Sequence, residues 1–460
     1  MIKNRFTSRP WQVTLAAAAT VVVGAAVAQN AAPIQAASAA QPAAQEIPVP
    51  DTLKPQNATP ATTAPQAGGA AATAATSTVA PATAAAQTQG TAPTAPTAPT
   101  AIAAPPVVTG KAWVILDAGS GRILAGQNYN AKLEPASITK VMTSYVIAAE
   151  MAAGRVKAND QVTMTEEAWR EGGAGTDGSY SGFPVNQSAP LVEMEKGMVV
   201  QSGNDAAIAL AQHVAGTTAA FADLMNHYAG KIGMKNSHFA NPTGLPDPNH
   251  YSTAYDLALL GRALAKDFPT AYSYNSIKEF TVGPITQQNR NLLLWRDSTV
   301  DGIKTGHTGS AGYCLMASAK RADMRLVSVI LGSDSMEHRA SDSLALLNWG
   351  FRFFESKTLF PANKPLQTTR VWKGSITDLP VGTLQPVSVV VPRGQGADLK
   401  AVIDVQKAIV APLKKGQVVG TVKVMQGDKV VSTEPLVALA DVAEGGFFRR
   451  LWDSLLMLFK

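Results

Sequence analysis

Cysteine is nearly absent from this chain of 460 residues. Cys314 stands alone, so no disulfide can close within the chain, and a zinc site would need histidines and carboxylates for most of its ligands. The redox compartment therefore stays open. Charge is scarce as well, at 16% of residues, and the formal excess of +6 is unevenly placed. Lys3, Arg5 and Arg9 precede the first acidic residue, Glu46, and without those three the excess falls to +3. A nucleic-acid partner loses its main support, and none is expected. Large apolar and aromatic side chains are almost missing from 29 to 106, where Ala, Pro, Thr and Gln dominate and TAPTAPTAPT repeats at 91–100. Such a stretch cannot bury enough apolar surface to offset its chain entropy, and proline at every third residue favours an extended spacer. The apolar run at 13–28 is Ala-rich, shorter than the roughly 20 residues a membrane span needs, and closes on Ala26, Val27 and Ala28. After three basic residues it reads as a secretory signal peptide over 1–28, an uncleaved anchor being the alternative. Either way the product works outside the cytoplasm.

What remains is long enough for two or three units. The alternation of KAWVILD at 111–117, followed by Gly-Ser punctuation and RILAG at 122–126, predicts a hairpin. Three- and four-residue apolar spacing predicts helices over 137–153, 204–215 and 253–268. Paired strands are expected at 313–321 and 324–332, then a helix over 343–354. This order argues for one α+β domain over 107–360. Beyond it, short Val-rich runs separated by Gly and Pro, VSVVV at 387–391 and VVGTVKVM at 418–425 among them, predict a small all-β domain over 361–445.

The last segment, 446–460, is different again. On a helical wheel Phe447, Phe448, Leu451, Trp452, Leu455, Leu456, Leu458 and Phe459 share one half, while Arg449, Arg450, Asp453, Ser454 and Lys460 take the other. A helix this short cannot span a bilayer, but its two faces suit an anchor lying in a membrane interface. Packing against the β-domain is the alternative.

Three short motifs carry chemistry. Ser137-Ile138-Thr139-Lys140 sits at the start of the first long helix, and its i, i+3 spacing puts Ser Oγ and Lys Nζ on one face. A serine at neutral pH needs a base, and a buried lysine can serve when low polarity or another cation depresses its pKa. Ser202-Gly203-Asn204 falls on a glycine turn between helical segments, and Lys304-Thr305-Gly306 just before a strand. S-x-x-K recurs by chance about twice in a chain of this size, whereas K-T-G is expected only about 0.1 times. The ordered set is far more specific than any member, and it belongs to class A β-lactamases and penicillin-binding proteins.

With EPASITKVMT, VVQSGNDAA, NPTGLPDPNHYST and VDGIKTGHT, then AGYCLMASAKR and, in the β-domain, APLKKGQVVGTVKV, the chain closely resembles the low-molecular-mass penicillin-binding D-alanyl-D-alanine carboxypeptidases, serine peptidases of the S11 type, over about 107–445. The amphipathic tail resembles that family's membrane anchor, whereas the long spacer departs from its plan. The resemblance implies a β-lactamase/transpeptidase-like catalytic domain followed by the small all-β domain and the C-terminal helix. It implies Ser137 as the acylated nucleophile, Lys140 as its base, Ser202 as a proton relay to the leaving amine and Asn204 as a ligand of the substrate amide. Lys304 would set the charge of the cleft, Thr305 and Gly306 of the same motif would meet the substrate, and Thr305 would take its terminal carboxylate. Backbone amides of Ser137 and His307 would form the oxyanion hole, His307 being otherwise readable as a solvated loop histidine. Arg290 matches an arginine that helps receive the carboxylate, with a surface role as the alternative. The Gly-rich stretch 171–183 reads as a loop over the cleft, and Cys314 as a small buried hydrophobe.

The implied enzyme acts on peptidoglycan stem peptides at the periplasmic face of the inner membrane, without metal, nucleotide or other cofactor, and is acylated by β-lactam antibiotics. Alternatives are a DD-endopeptidase, a weak β-lactamase, and a penicillin sensor or wall-binding scaffold. S-G-N in place of S-D-N, and no evident deacylating glutamate motif, count against the β-lactamase. A sensor would need a spanning segment and a cytoplasmic partner.

Overall fold

The computed structural model describes residues 102–458. The expected signal peptide, 1–28, and the spacer up to residue 101 lie outside the described residues. The spacer's last residues run exposed along the catalytic part, where the Ala103 carbonyl accepts a hydrogen bond from Trp349 Nε1 at 2.9 Å.

A five-stranded antiparallel sheet forms the middle layer, in the order Ile123–Gln127, Ala112–Asp117, Met324–Ser333, Gly312–Arg321, Val300–Thr308. Its central strands are buried on both faces because successive side chains serve two cores. From Ala112–Asp117, Val114 and Leu116 enter the larger core, built with the helical region, while Trp113 and Ile115 enter the smaller one under the helix Met336–Phe353. Helices Thr139–Ala152, Asn204–Ala215 and Ala254–Asp267 match the expected segments to within two residues. Thr253 caps the last of them by accepting from the Asp256 amide.

Two differences concern the helices. The helix expected over 343–354 begins at Met336, where the Ser335 side chain accepts from the His338 amide; its first two turns are largely polar, so apolar periodicity does not reveal them. The helix Thr218–Ile232, capped by Thr217 and closed by Gly233 in the left-handed region, has no counterpart in the sequence reading.

The β-rich part starts at 354 and not 361. Phe353 ends the long helix and Phe354–Phe360 continues at once as a strand paired with Val387–Pro392, with no Gly or Pro to mark the junction. A six-stranded sheet completes it, with Leu399–Val405 at one edge and Ile409–Val410 at the other. The chain then enters the helix Phe447–Met457. No helix among the described residues is long and apolar enough to cross a membrane.

Candidate active site

Ser137 lies in a single 3-10 turn, Ala136–Ile138, that leads directly into the helix Thr139–Ala152. Lys140, one turn on, is 1% exposed, and its Nζ lies 3.0 Å from Ser137 Oγ. The same Nζ donates to Asn204 Oδ1 at 2.6 Å and to the Thr243 carbonyl at 2.7 Å. Burial brings the Lys140 pKa down to about 7; Arg290 pushes the same way and the Asp205 carboxylate opposes both. A neutral amine has two N–H bonds and one lone pair. With the two N–H groups committed to Asn204 and Thr243, the lone pair is left for the Ser137 hydroxyl, which is the arrangement a general base requires.

Ser202 and Asn204 flank Gly203 at the head of the helix Asn204–Ala215, with Ser202 itself in the left-handed region at φ 64°. The Gly-rich stretch lies along this turn. The Asn204 amide donates to the Ser179 carbonyl at 2.7 Å, and the Ser181 amide and hydroxyl both donate to the Asp205 carboxylate. Arg290 Nη1 donates to Ser179 Oγ from the far wall. The loop is thus held over Ser202-Gly203-Asn204 by buried contacts to Asp205 and an exposed one to Arg290, and Glu171 and Thr176 to Ser179 form part of the cleft wall.

The third motif supplies the opposite wall through the edge strand Val300–Thr308. A Cβ at Gly306 would stand 2.8 Å from the Pro135 carbonyl and 3.2 Å from the Ser137 amide nitrogen, so only glycine lets this strand lie against the Ser137 turn. Lys304 is buried, donates to the Thr305 carbonyl at 3.2 Å, and has its pKa pushed well down by burial, with the cations Lys140, Arg290 and Arg339 adding to the effect. His307 is exposed and its ring rests on Tyr313, with centroids 4.2 Å apart.

Together these elements enclose a cleft of about 680 Å³ lined by Ser137, Ser202, Asn204, Arg290, Thr305 and His307, with Gly306 beside them. Lys140 and Lys304 sit buried behind this lining. All nine residues singled out in the sequence therefore converge. The sequence reading missed three participants. Asp205 follows the motif directly and tunes Lys140; the Thr243 carbonyl leaves no side-chain signature. Arg339, 4% exposed on the long helix, donates to the Gly306 carbonyl at 2.8 Å and also lines the cleft. It stands in EHRASD with no motif around it. Cys314 is fully buried, as expected.

Residues 99–335 match the family described as D-alanyl-D-alanine carboxypeptidase, and residues 354–444 match the penicillin-binding protein 5 C-terminal domain. The chain is 45% identical over 358 residues to D-alanyl-D-alanine carboxypeptidase DacC of Escherichia coli K12, an alignment covering 77% of this chain and 89% of the relative. It is 33% identical to DacF of Bacillus subtilis, covering 73% and 87% respectively. The crystal structure of penicillin binding protein 5 from Haemophilus influenzae superposes with a TM-score of 0.66 at 38% identity, covering 74% of this chain and 100% of that one. The chain belongs to the D-alanyl-D-alanine carboxypeptidase family of serine peptidases.

Proposed function

We propose that this chain removes the terminal D-alanine from peptidoglycan stem peptides through an acyl-enzyme on Ser137. Lys140 accepts the hydroxyl proton as Oγ adds to the penultimate D-alanine carbonyl, and the backbone amides of Ser137 and His307 receive the developing oxyanion. The C–N bond then breaks, the leaving amine takes its proton through Ser202, and an ester remains on Ser137. Water hydrolyses that ester, releasing the shortened peptide and returning the hydroxyl. Asn204 holds the substrate amide. Thr305 in the Lys304-Thr305-Gly306 strand, with Arg290 and now Arg339, receives the terminal carboxylate. A β-lactam follows the same first step, but its ring opens and no leaving group departs, so the adduct persists.

The observation that carries this reading is the buried lysine, depressed to about 7, against the serine hydroxyl. The test is mass spectrometry of purified protein with a pentapeptide ending in D-Ala-D-Ala. The wild type releases one alanine and forms a penicillin adduct, whereas Ser137→Ala does neither and Lys140→Ala is slowed by orders of magnitude. Full-rate adduct formation on either variant would sink the assignment, and intact peptide beside a trapped adduct would favour the sensor. Faster cleavage of cross-linked dimers than of pentapeptide would make the enzyme an endopeptidase.

The same proposal places the protein at the periplasmic face of the inner membrane, exported by residues 1–28 and extended by 29–106. The terminal helix would hold it there. Its buried residue is Asp453, while Phe447, Phe448, Leu451, Trp452, Leu455 and Leu458 face outward, suiting a lipid interface.

A further inference from the structure

His250 lies on no part of the cleft lining, yet it is 3% exposed and packed under the nucleophile turn. Its Nε2 is 2.8 Å from Thr139 Oγ1, and its Nδ1 accepts from the Ala240 amide at 3.2 Å. Because Nδ1 is an acceptor there, the ring proton sits on Nε2 and is donated to Thr139. The Phe239 ring packs nearly perpendicular to the imidazole, with centroids 5.6 Å apart.

Thr139 stands between Ser137 and Lys140, and segment 240–244 lies directly on it. Gly244 is in the left-handed region at φ 81°, and a Cβ there would fall 1.9 Å from the Ala136 carbonyl oxygen and 2.7 Å from Thr139 Oγ1. The Pro242 carbonyl accepts from Thr143 Oγ1 at 2.7 Å, and the Thr243 carbonyl accepts from Lys140 Nζ at the same distance. One segment therefore touches the nucleophile helix at successive points, and one of those points fixes the base. His250 bonds to both partners, to the helix through Thr139 and to the segment through Ala240.

We infer that His250 is a positioning residue for the acylation step: as the neutral Nε2–H tautomer it ties segment 240–244 to the nucleophile helix, and so keeps the Thr243 carbonyl on Lys140 and the lone pair of Lys140 on Ser137. The inference rests on the reading of Lys140 as the base. Burial lowers the His250 pKa to about 4; His238 and Lys140 act in the same direction, and Asp247 opposes them. The ring thus stays neutral across the working range. Protonation would put N–H against N–H at Ala240 and a second cation near Lys140.

The test measures the second-order rate of acylation by a fluorescent penicillin from pH 5 to 9 on the full chain. His250→Gln, whose amide offers one acceptor and one donor, should stay within about threefold of wild type. His250→Leu should acylate at least about tenfold more slowly, and its acid limb should move up by about half a unit or more, since a loosened segment admits water to Lys140 and relaxes the burial that holds its pKa down. Thr139→Val, which keeps the shape and removes the acceptor, should reproduce that upward shift and serves if His250→Leu does not fold. The double variant should add little to either single change. An unshifted limb and near-wild-type rate in folded His250→Leu or Thr139→Val would overturn the proposal, as would a Gln variant as impaired as the Leu one. Lys140→Ala is the control that separates the two readings: full-rate acylation there removes the base itself, whereas a slow Lys140→Ala beside a normal His250→Leu removes only the role of His250.

Discussion

The sharpest consequence of the geometry is an acid limb in acylation centred near pH 7. An ordinary lysine would be neutral in only about one molecule in 3000 at that pH, and a lysine of pKa 7 in about half. Below the limb each pH unit should slow acylation about tenfold, leaving roughly 1% of Lys140 neutral at pH 5. The charges around Nζ set the sign of two perturbations. Arg290 depresses the Lys140 pKa, so Arg290→Met should move the limb to higher pH; Asp205 raises it, so Asp205→Asn should move the limb lower. Both variants will also lose rate for other reasons, because Arg290 bonds Ser179 and Asp205 anchors Ser181. The position of the limb, not its height, is therefore the quantity to read. Acylation by a fluorescent penicillin under pseudo-first-order conditions, at half-unit steps from pH 5 to 9, gives it directly. Limbs that stay in place, or move in the same direction, would show that Lys140 is not the titrating base.

Glu195, fully buried beside Ser144, gives a stability prediction: burial pushes its carboxyl up to about 8, while the unfolded chain releases that proton near 4.5. Its contribution is thus present below pH 4.5 and lost as pH rises towards 8, by roughly 3 kcal/mol at pH 7. Glu195→Gln should therefore gain thermal stability over wild type between pH 5 and 8, and parallel melting curves across that window would refute the assignment. Amidating the terminal D-alanine of the pentapeptide should lower kcat/KM by about 10- to 150-fold, since hydrogen bonds to a charged group contribute about 1.5–3 kcal/mol. Arg290→Ala should erase much of that difference; an amide cleaved as fast as the acid would mean that no carboxylate is read. Deleting 447–460 should move the protein from membranes to the soluble fraction with activity on small peptides kept, and a truncated form that still sediments with vesicles would place the attachment elsewhere.

The parts of the site legible in the sequence are those where chemistry requires a particular side chain at a fixed local spacing. Ser137 and Lys140 are one helical turn apart, Ser202 and Asn204 straddle one glycine, and Lys304 to Gly306 are consecutive along one strand. The missing parts act across long stretches of chain or without side chains. The Thr243 carbonyl reaches Lys140 from 103 residues away, and Arg339 reaches Gly306 from 33. His250 meets Thr139 across 111. The same division runs through the fold. Alternation marked Ala112–Asp117, which Gly110 and Gly119 bracket. The junction at Phe353 and Phe354 escaped because the chain passes from helix to strand with no breaker.

The terminal helix reverses the usual logic of an amphipathic segment on a folded domain. Such a helix ordinarily buries its apolar stripe and leaves its charges in water. Here Asp453 is the buried residue. Its carboxylate accepts from the Lys373 amide at 2.6 Å and from Arg370 at 3.4 Å, while Arg450 pairs with Glu444 at 2.6 Å. Burying a carboxylate is costly unless it is bonded, and these contacts offset that cost while fixing which face of the helix meets the β-domain. The consequence falls on the other face, where Phe448 is 84% exposed and Leu458 79%. Six large apolar side chains held outward in water are unfavourable by an amount on the order of several kcal/mol relative to a lipid surface. Polar docking on one side and apolar exposure on the other form a single arrangement. The β-domain holds the helix by its charged face, and that leaves the apolar face exposed, as the proposed membrane attachment requires.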